Sequence, residues 1–421
     1  MLRLVTILSL CLFGLMVSVS SVSSAGDWRQ FRGPGGQGVS NETNLPTRWS
    51  DTENLLWKTE MPGAGASSPI ILGDRVYLTC YSGFGAGVRN SGTMEDLRRH
   101  VVCVNRADGK IVWNKTLLPK LPESDRVRDH GFAAPTPVTD GKHLYVFFGK
   151  SGVYKFDLNG NQIWNTEVGS TIHGWGCGTS PVLYQNLVIV NASVESRSLV
   201  ALDKQSGAEV WRAPGMRASW NTPILVDVKG GKQELVVSVK GSILAFDPQT
   251  GAQLWSCRGV PDYVCPSAVA KDGIVYVIGG RSAKAIAVRA GGRDDVTDTH
   301  LVWNAQVGAN VSSPVIYGDH LYWINEGGRT ALCLRLDTGE IEYQKRLNIS
   351  PYASTVAADG KLYVVDRNQG TYVLAANPKF EQISHNRFEN DRSTFNASIA
   401  ISNGNIFIRS NRFLYCISGS E

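Results

Sequence analysis

Charged, amide and aromatic side chains recur in the segments just ahead of eight anchor positions in this chain, and such side chains are suited to binding. The candidate contact residues are Arg128, Asp129, His130, His173, Trp175, Arg217, Trp220, Asn221, Asp262, Tyr263, Tyr352, Arg392 and Asn396. Loops held by a rigid scaffold are where binding residues concentrate. No nucleophile–base pair and no pair of carboxylates with acid–base spacing is recognisable among them. The pattern predicts a ligand- or partner-binding site, with no catalytic and no metal-binding residue.

The same residues also have structural interpretations, which stay open at this point. Trp175 and Trp220 could simply fill a central space. His130 and His173 are of a type that more often hydrogen-bonds within loops than acts as a catalyst. Asp247 recurs with other aspartates at one turn position, and that repetition explains it structurally. A concave site for a small ligand is therefore one hypothesis beside a purely structural one.

An internal repeat positions these segments. Each unit begins at an anchor, continues through a Gly/Asp turn into a strand that usually bears tyrosine, and in most units ends in a glycine turn and a tryptophan. The anchors are Pro69, Pro137, Pro181, Pro223, Ala268, Pro314, Thr355 and Ile399. After the enlarged first unit their spacing is roughly 41–46 residues, which is typical of propeller blades. We predict an all-β fold, an eight-bladed β-propeller of four-stranded antiparallel blades.

The second half of a unit is clearest between Ala245 and Trp255. An apolar strand enters a turn at Asp247, Gly251 supplies the positive φ that the turn needs, and an outer strand leaves through Trp255. A buried tryptophan removes about 150–250 Å² from water, so we expect these tryptophans to pack between blades. The outer strand of the seventh unit is expected near residues 380–383.

The ends of the chain predict how the ring closes. Residues 54–60 form an outer strand around Trp57 with no inner strands of their own, and the last unit stops before its outer strand. We expect residues 54–60 to complete the blade formed by residues 396–418, since closure removes open sheet edges. The predicted divisions are an N-terminal arm at 26–53 and a single propeller domain at 54–421.

The first 25 residues resemble an export signal. Arg3 precedes an apolar run, and Ala25 ends a small-residue cleavage site. We expect a periplasmic or extracellular protein without a membrane span, because no later segment is long and apolar enough. A lipid anchor is not expected, because Leu10 precedes Cys11 where a small residue would be needed.

Cysteines and charge exclude several functions. Cys80 with Cys103, and Cys257 with Cys265, are candidate disulfides, although connectivity does not follow from sequence. No ligand spacing for structural zinc is present. The net charge is +5 with both signs interspersed, and no basic cluster indicates a nucleic-acid partner.

The frame Ala-x-Asp-x-x-Thr-Gly-x-x-x-Trp, matched at residues 245–255 and nearly so at 201–211, resembles the quinoprotein-type repeat family of pyrroloquinoline quinone (PQQ) dehydrogenases. The resemblance covers essentially all of the chain beyond the leader. The start, from Trp28 to Gly38, is similar to an exported branch of this family found in planctomycete-type bacteria. The propeller subunit of the outer-membrane barrel-assembly machinery is a further relative, which acts as a scaffold without a cofactor.

The resemblance implies two functions. The family's enzymes stack PQQ between a tryptophan and a disulfide of adjacent cysteines, and hold calcium through Glu, Asn and Asp. This sequence has no Cys-Cys dipeptide and no Cys-x-x-Cys-His haem motif, so we expect no cofactor.

We therefore predict an exported, monomeric, non-catalytic propeller that recognises a protein, peptide or glycan partner in the cell envelope. Its two long insertions, about Ser82–His100 and Leu117–Phe132, should open on the partner-binding face. The alternative is a divergent PQQ- and calcium-dependent dehydrogenase of alcohols or sugars. A sensor or carbohydrate-binding domain beside a separate enzyme is a third hypothesis, which the residues do not separate from the first.

Overall fold

Eight sheets, each with a four-stranded antiparallel core, form the blades of a β-propeller. A computed structural model describes residues 26–85, 92–125, 127 and 129–419. Every predicted anchor residue lies immediately before the innermost strand of its blade, which confirms the repeat. In this part of the chain no helix has the length and apolar character needed to cross a membrane.

Two strands of the N-terminal region join blades formed much later in the chain, and four complete blades follow them. The first strands are β1 (Val39–Ser40) and β2 (Leu55–Glu60). Blade 1 contains β3 (Ile70–Leu72), β4 (Arg75–Ser82), β5 (Arg98–Asn105) and β6 (Ile111–Leu117). Blade 2 contains β7 (Val138–Thr139), β8 (His143–Phe147), β9 (Val153–Asp157) and β10 (Gln162–Thr166). Blade 3 contains β11 (Val182–Tyr184), β12 (Leu187–Ala192), β13 (Ser198–Asp203) and β14 (Glu209–Pro214). Blade 4 contains β15 (Ile224–Val228), β16 (Lys232–Val239), β17 (Ser242–Phe246) and β18 (Gln253–Arg258).

The second half of the chain repeats this order, with an insertion inside blade 5 before its outer strand. Blade 5 contains β19 (Val269–Lys271), β20 (Ile274–Gly279), β21 (Lys284–Arg289) and β23 (Leu301–Ala305). The insertion between β21 and β23 forms helix α1 (Thr297–His300) and the short β22 (Asp294–Asp295), which pairs in parallel with β18 at the outer edge of blade 4. Blade 6 contains β24 (Val315–Tyr317), β25 (His320–Asn325), β26 (Thr330–Arg335) and β27 (Ile341–Arg346). Blade 7 contains β28 (Val356–Ala358), β29 (Lys361–Asp366), β30 (Gly370–Ala375) and β31 (Gln382–Asn386). Blade 8 contains β32 (Ala400–Ser402), β33 (Asn405–Arg409) and β34 (Phe413–Ser418). Short 3₁₀ turns occur at Pro34–Gly36, Met94–Asp96 and Gly149–Ser151.

Strand β2 closes the ring by pairing antiparallel with β34, so that Trp57 lies opposite Cys416. This confirms the predicted exchange between the two ends of the chain. The outer strand of blade 7 begins at Gln382, at the far end of the predicted segment. There the register places Ser384 opposite Val373, where other blades carry tryptophan or tyrosine. The missing aromatic ring explains why this strand was the hardest to locate from sequence.

The repeated tryptophans join neighbouring blades, as predicted. In blade 3 the indole Nε1 of Trp211 donates a 3.2 Å hydrogen bond to the carbonyl oxygen of Pro248 in blade 4. A Cβ built on Gly251, which has a φ of +73°, would lie 2.5 Å from the Trp211 ring. Glycine is therefore needed at this turn both for its positive φ and for the close approach of the ring.

A small residue faces most of these rings across the blade, whereas in blade 2 Lys155 lies opposite Trp164. Cys103 lies opposite Trp113, Ala245 opposite Trp255, and Cys333 opposite Tyr343. Cysteine therefore serves at this position as a small buried side chain. All seven cysteines of the described residues are free thiols, so the two candidate disulfides do not form. The register shows one reason, because Cys80 pairs with His100 whereas Cys103 pairs with Tyr77.

A ring of hydroxyl groups joins the blades around the channel. A serine or threonine precedes every anchor, and its side-chain oxygen accepts a hydrogen bond from the backbone N–H of its counterpart in the preceding blade. Seven such bonds, of 2.9–3.2 Å, run in order through Ser68, Thr136, Ser180, Thr222, Ser267, Ser313, Ser354 and Ser398. Between blades 8 and 1 the fully buried Arg409 instead donates to Ser67 and to the carbonyl oxygen of Thr79.

The N-terminal arm crosses the channel at the end opposite the loops. Trp28 exchanges backbone hydrogen bonds with Ile71 in blade 1. The side chain of Gln37 accepts a 3.0 Å bond from the Ala270 N–H in blade 5, and β1 pairs in parallel with β28 in blade 7. Between them the fully buried Arg32 donates to the carbonyl oxygens of Gln37 and Pro314. The arm therefore uses the free edges of innermost strands to close this end.

Candidate functional site

A cavity of about 440 Å³ lies at the loop-bearing end of the channel. Its wall combines loops ahead of the innermost strands with loops that join the second and third strands of a blade. Ser313 and Ser354 of the hydroxyl ring line it deeper in the channel, and Phe31 of the arm contributes to its inner end. The cavity is therefore large enough for a side chain or a small ligand, and the arm opposes the loops across it.

An aromatic cluster forms one side of the cavity. The ring centre of Trp175 lies 4.8 Å from that of Trp220 and 4.7 Å from that of Tyr263. Trp220 is fixed by a 2.9 Å bond from its Nε1 to the Gly176 carbonyl oxygen. His173 packs behind the cluster, 4.9 Å from the Trp220 ring. These contacts hold rigid apolar faces against the cavity, as aromatic binding sites require.

A polar network forms the other side and ties blade 7 to the long loop after blade 1. The Asp129 carboxylate accepts hydrogen bonds from Arg367 Nη2 at 2.7 Å and from the Tyr352 hydroxyl at 2.9 Å. Asn396 accepts a 3.1 Å bond from Arg367 Nε and donates to the Asp129 carbonyl oxygen. Burial alone would raise the pKa of Asp129, but these hydrogen bonds outweigh it and hold the pKa below its usual value.

Glu326 is the one acidic group of the cavity wall that has no side-chain partner. It lies in the turn between β25 and β26, is 7% exposed, and neither carboxylate oxygen makes a hydrogen bond of good geometry. Burial raises its pKa to about 7, and the neighbouring backbone N–H groups of Glu326, Val311 and Asn310 offset part of that rise. Burial raises the pKa of the nearby Cys265 thiol to about 12, and the negative charge of Glu326 contributes to that rise.

The structure brings together seven of the predicted site residues on the cavity wall. They are Asp129, His130, Trp175, Trp220, Tyr263, Tyr352 and Asn396. The two long insertions meet on this face, where the rings of Phe84 and Phe132 lie 5.9 Å apart. Arg128 lies outside the described residues.

Five predicted residues lie elsewhere. His173 supports the aromatic cluster, and the Asp262 carboxylate accepts hydrogen bonds from the Tyr263 and Arg281 N–H groups beside the cavity. Asn221 does not line the cavity, because it is 2% exposed and its amide bridges the carbonyl oxygens of Ser238 and Val264.

Arg217 and Arg392 do not line the cavity. Arg217 turns toward the Lys240 carbonyl oxygen, at 3.1 Å, and Arg392 is exposed away from the wall. Both sit in loops of the expected kind, but the path of each loop directs the side chain elsewhere.

Sequence reasoning missed three charged residues of the wall: Arg281, Glu326 and Arg367. Each follows the second strand of its blade, four or five residues after the strand's tyrosine. In a propeller the loops between second and third strands open at the same mouth as the loops ahead of the innermost strands, so a charged residue at this offset was a usable signal. The hydroxyl before each anchor was a second signal that passed unnoticed.

The repeat matches a known family across most of its length. The model of the PQQ_2 family, described as "Outer membrane protein assembly factor BamB", matches residues 97–225 and 192–385. The chain belongs to the PQQ_2 family. No curated protein sequence matches it. Membership in the BamB-like PQQ_2 family confirms the predicted resemblance.

Solved structures show the same fold at low sequence identity. BamB from Moraxella catarrhalis is 14% identical with a TM-score of 0.60, and the match covers 87% of this PQQ_2 chain and 98% of that one. The computationally designed protein Ika8 is 10% identical with a TM-score of 0.60, covering 87% and 100%. A europium-containing methanol dehydrogenase is 12% identical with a TM-score of 0.48, covering 84% and 90%. At these identities the similarity shows the fold alone.

The residues of the cavity do not fit PQQ and calcium as the family's enzymes bind them. Cys265 lines the cavity without an adjacent cysteine, so the disulfide ring that covers one face of the quinone cannot form. Both carboxylate oxygens of Asp129 are taken by Arg367 and Tyr352. Within the described ranges no group of three His, Cys, Asp or Glu side chains could hold a metal ion.

Proposed function

We propose that this protein is an exported, non-catalytic recognition propeller that binds a protein partner of the cell envelope at its loop-bearing face. Part of the partner enters the cavity between the Trp175 cluster and the network around Asp129. The observation that carries this proposal is a preformed cavity of about 440 Å³ with rigid aromatic faces. Preformed, partly apolar cavities with a few polar groups are the usual form of binding sites.

Binding is favoured over catalysis because the polar groups on the Asp129 side of the mouth are occupied by one another, and because the thiol beside Glu326, Cys265, has a pKa raised to about 12 and is a poor nucleophile. Asp129, Arg367, Tyr352 and Asn396 form one closed network. His130 Nδ1 lies 3.0 Å from the carbonyl oxygen of Gly131, and burial lowers its pKa. A general base needs hydrogen-bond reach to a substrate proton, and these groups are already committed to the scaffold.

A protein partner is favoured over a glycan. The family description names an outer-membrane protein assembly factor, which supports a protein partner in the envelope and an exported location. A sugar presents many hydroxyl groups and is bound by many free donors and acceptors, whereas this wall offers aromatic faces and few free polar groups. Aromatic side chains with a polar rim are typical of protein-binding hot spots.

The test is site-specific photo-crosslinking in cells of the native organism. A photoreactive phenylalanine analogue at Tyr263, on the cavity wall, should give one discrete crosslinked protein, whereas the same analogue at the exposed Ile163 on blade 2 should not. Trp175→Ala in the Tyr263 background should reduce that product at least about tenfold, because it removes an aromatic anchor. Ile163→Ala should leave it unchanged. Equal crosslinking from both positions, or no effect of Trp175→Ala, would refute the proposal.

A further inference from the structure

A buried carboxylate without a side-chain partner destabilises the folded protein unless a bound molecule supplies a partner. No side chain pairs with either oxygen of Glu326, although the residue is more than nine-tenths buried, and its nearest polar neighbours are the backbone N–H groups of Glu326, Val311 and Asn310. An unsatisfied buried polar group costs about 1–3 kcal/mol, and more when it is charged. The described residues contain no ion pair to Glu326, and its side chain borders a cavity of about 440 Å³. The missing partner can therefore come from a molecule that enters this space.

A second buried carboxylate differs from Glu326 in the space that it faces. Glu195 is 3% exposed, and burial likewise raises its pKa to about 7. Glu195 shares a hydrogen bond with the Cys177 side chain, although its Oε2 has no partner of its own. It borders a cavity of only about 20 Å³, which is the size of a single water molecule. Glu195 is therefore part of the scaffold, whereas Glu326 faces a space of ligand size.

The chemistry around Glu326 selects for a cation. The Asp129 and Arg367 side chains neutralise each other across a 2.7 Å ion pair. The Arg281 guanidinium is held at the rim, 5.6 Å from the Tyr263 ring centre. Among the described residues of the wall, the charges outside this ion pair are the Glu326 carboxylate in the cavity and the Arg281 guanidinium at the rim, and the faces of several aromatic rings lie beside them. Aromatic faces attract ammonium groups, and a carboxylate forms charge-assisted hydrogen bonds with them.

We propose that the cavity binds a lysine side chain of the partner protein, whose ammonium group pairs with the Glu326 carboxylate while its methylene chain lies along the aromatic faces. A lysine combines an apolar stem with a compact charge, so one side chain satisfies both parts of the wall. This inference rests on the proposed function, because it names what the partner inserts into the cavity.

The pH dependence of binding isolates Glu326. The other titratable or charged side chains on the wall are Asp129, His130, Tyr263, Cys265, Arg281, Tyr352 and Arg367. Burial lowers the pKa of His130 and raises those of Cys265 and both tyrosines, so these groups stay neutral between about pH 6.5 and 8. A lysine ammonium remains charged there, since its pKa is about 10.4. Affinity should therefore rise over this range as Glu326 ionises.

The experiment titrates the protein with N-acetyl-lysine methylamide and follows tryptophan fluorescence, because Trp175 and Trp220 line the cavity. Binding should saturate, and it should strengthen from about pH 6.5 to pH 8. The norleucine analogue, which lacks the ammonium group, should bind at least about tenfold more weakly. Glu326→Gln keeps the shape of the side chain and should remove both the preference for lysine and the pH dependence.

Glu195→Gln is the matched control, because it alters an equally buried carboxylate outside the cavity and should leave lysine binding unchanged. Melting temperatures of both variants show whether they fold. Equal affinity of Glu326→Gln and the parent protein, equal binding of the norleucine analogue, or a preference for glucosamine would overturn the inference. If crosslinking depends on Trp175 but not on Glu326, the proposed function stands and the lysine inference fails. If it depends on neither residue, both fail.

Discussion

The two ends of the central channel are closed by different means. At one end the arm supplies a backbone partner or a side chain to blades 1, 5 and 7, and its fully buried Arg32 donates hydrogen bonds to three carbonyl oxygens, although its Nη1 has no partner. At the other end the loops meet around a cavity, and Glu326 has no side-chain partner. One end of the ring is therefore filled by a segment of the same chain, whereas the other end leaves a cavity with a buried carboxylate on its wall.

The difference indicates that the arm end of the channel stabilises the fold, whereas the loop end is available for recognition. The arm adds to innermost strands whose edges would otherwise remain unpaired, so it belongs to the scaffold. The loop end bears aromatic rings and a costly carboxylate that no fold requirement explains. Five predictions test this contrast, from the largest expected effect to the smallest.

Removing residues 1–63 should have the largest effect, because it deletes both the arm and the closing strand β2. The exposed edges of β34 and of the innermost strands would favour association over a closed ring. We expect loss of cooperative thermal unfolding and an oligomeric elution profile. Removing residues 1–53 keeps β2 and should give a destabilised but closed ring. A monomeric, cooperatively folded chain starting at Ala64 would contradict the role of β2.

Trp255→Ala and Trp211→Ala should each lower the free energy of unfolding by about 3–5 kcal/mol, because a large buried ring leaves a cavity between blades. Trp255 is fully buried and Trp211 nearly so. At the loop end Trp175 is only partly buried, and Trp175→Ala should cost less than either. Chemical denaturation measures all three. Similar costs at the three positions would remove the distinction between the scaffold and the loop end.

The two buried glutamates should make stability fall as pH rises. Burial raises the pKa of Glu326 from 4.5 to about 7, so the folded state binds a proton that the unfolded state releases between these values. The stabilisation is complete below about pH 4.5 and is lost as pH approaches 7, a change on the order of 3 kcal/mol. Glu326→Gln should therefore stabilise the protein at pH 8 and have little effect at pH 4.5.

The same reasoning applies to Glu195, whose pKa is also raised to about 7 by burial. Both variants are compared with the parent protein by denaturant titration across this pH range. If Glu326→Gln has no more effect at pH 8 than at pH 4.5, the carboxylate is not buried without compensation, and the contrast between the channel ends weakens.

Asp129→Asn should release the long loop after blade 1 while changing global stability by no more than about 1 kcal/mol, as is usual for partly exposed ion pairs. The variant weakens the bonds to Arg367 and Tyr352. Amide exchange in residues 118–132 should accelerate, whereas exchange in residues 28–40 of the arm should not change. Equal protection of the loop in both proteins would show that Asp129 does not hold it.

Adding PQQ with millimolar calcium should have the smallest effect of all. Because Cys265 has no adjacent cysteine and Asp129 is already paired, we expect no saturable quenching of tryptophan fluorescence and no dye-linked oxidation of alcohols or sugars. Saturable quenching that is lost in Trp175→Ala would revive the dehydrogenase hypothesis and contradict a site reserved for protein recognition.

Much of the fold followed from the sequence because its signals are local and repeated. Each anchor, each glycine turn and each outer tryptophan is a short-range pattern. Its repetition roughly every 41–46 residues strengthens the prediction that each unit is one blade. The closing strand was also predictable, because the strand around Trp57 has no inner strands of its own and the last blade has no outer strand of its own. The arm's path across the channel was not, because its contacts with blades 5 and 7 are far apart in sequence.

The candidate site was predicted only in part. Loop membership placed Asp129, Trp175 and Tyr263 together, and they lie on one cavity wall because the fold brings such loops to one mouth. It could not show that Asn221 turns inward to bridge two carbonyl oxygens. Side-chain direction within a loop depends on the hydrogen-bond partners that surround it, and those come from other blades.

The amino-acid sequence by itself determined the number of blades, their strands and the way the ring closes, because periodic burial and turn chemistry act over a few residues. Only the tertiary structure decided that Arg367 neutralises Asp129 while Glu326 is left alone. The physical reason is that desolvation and charge compensation depend on distances between groups hundreds of residues apart, and those distances exist only once the ring has closed.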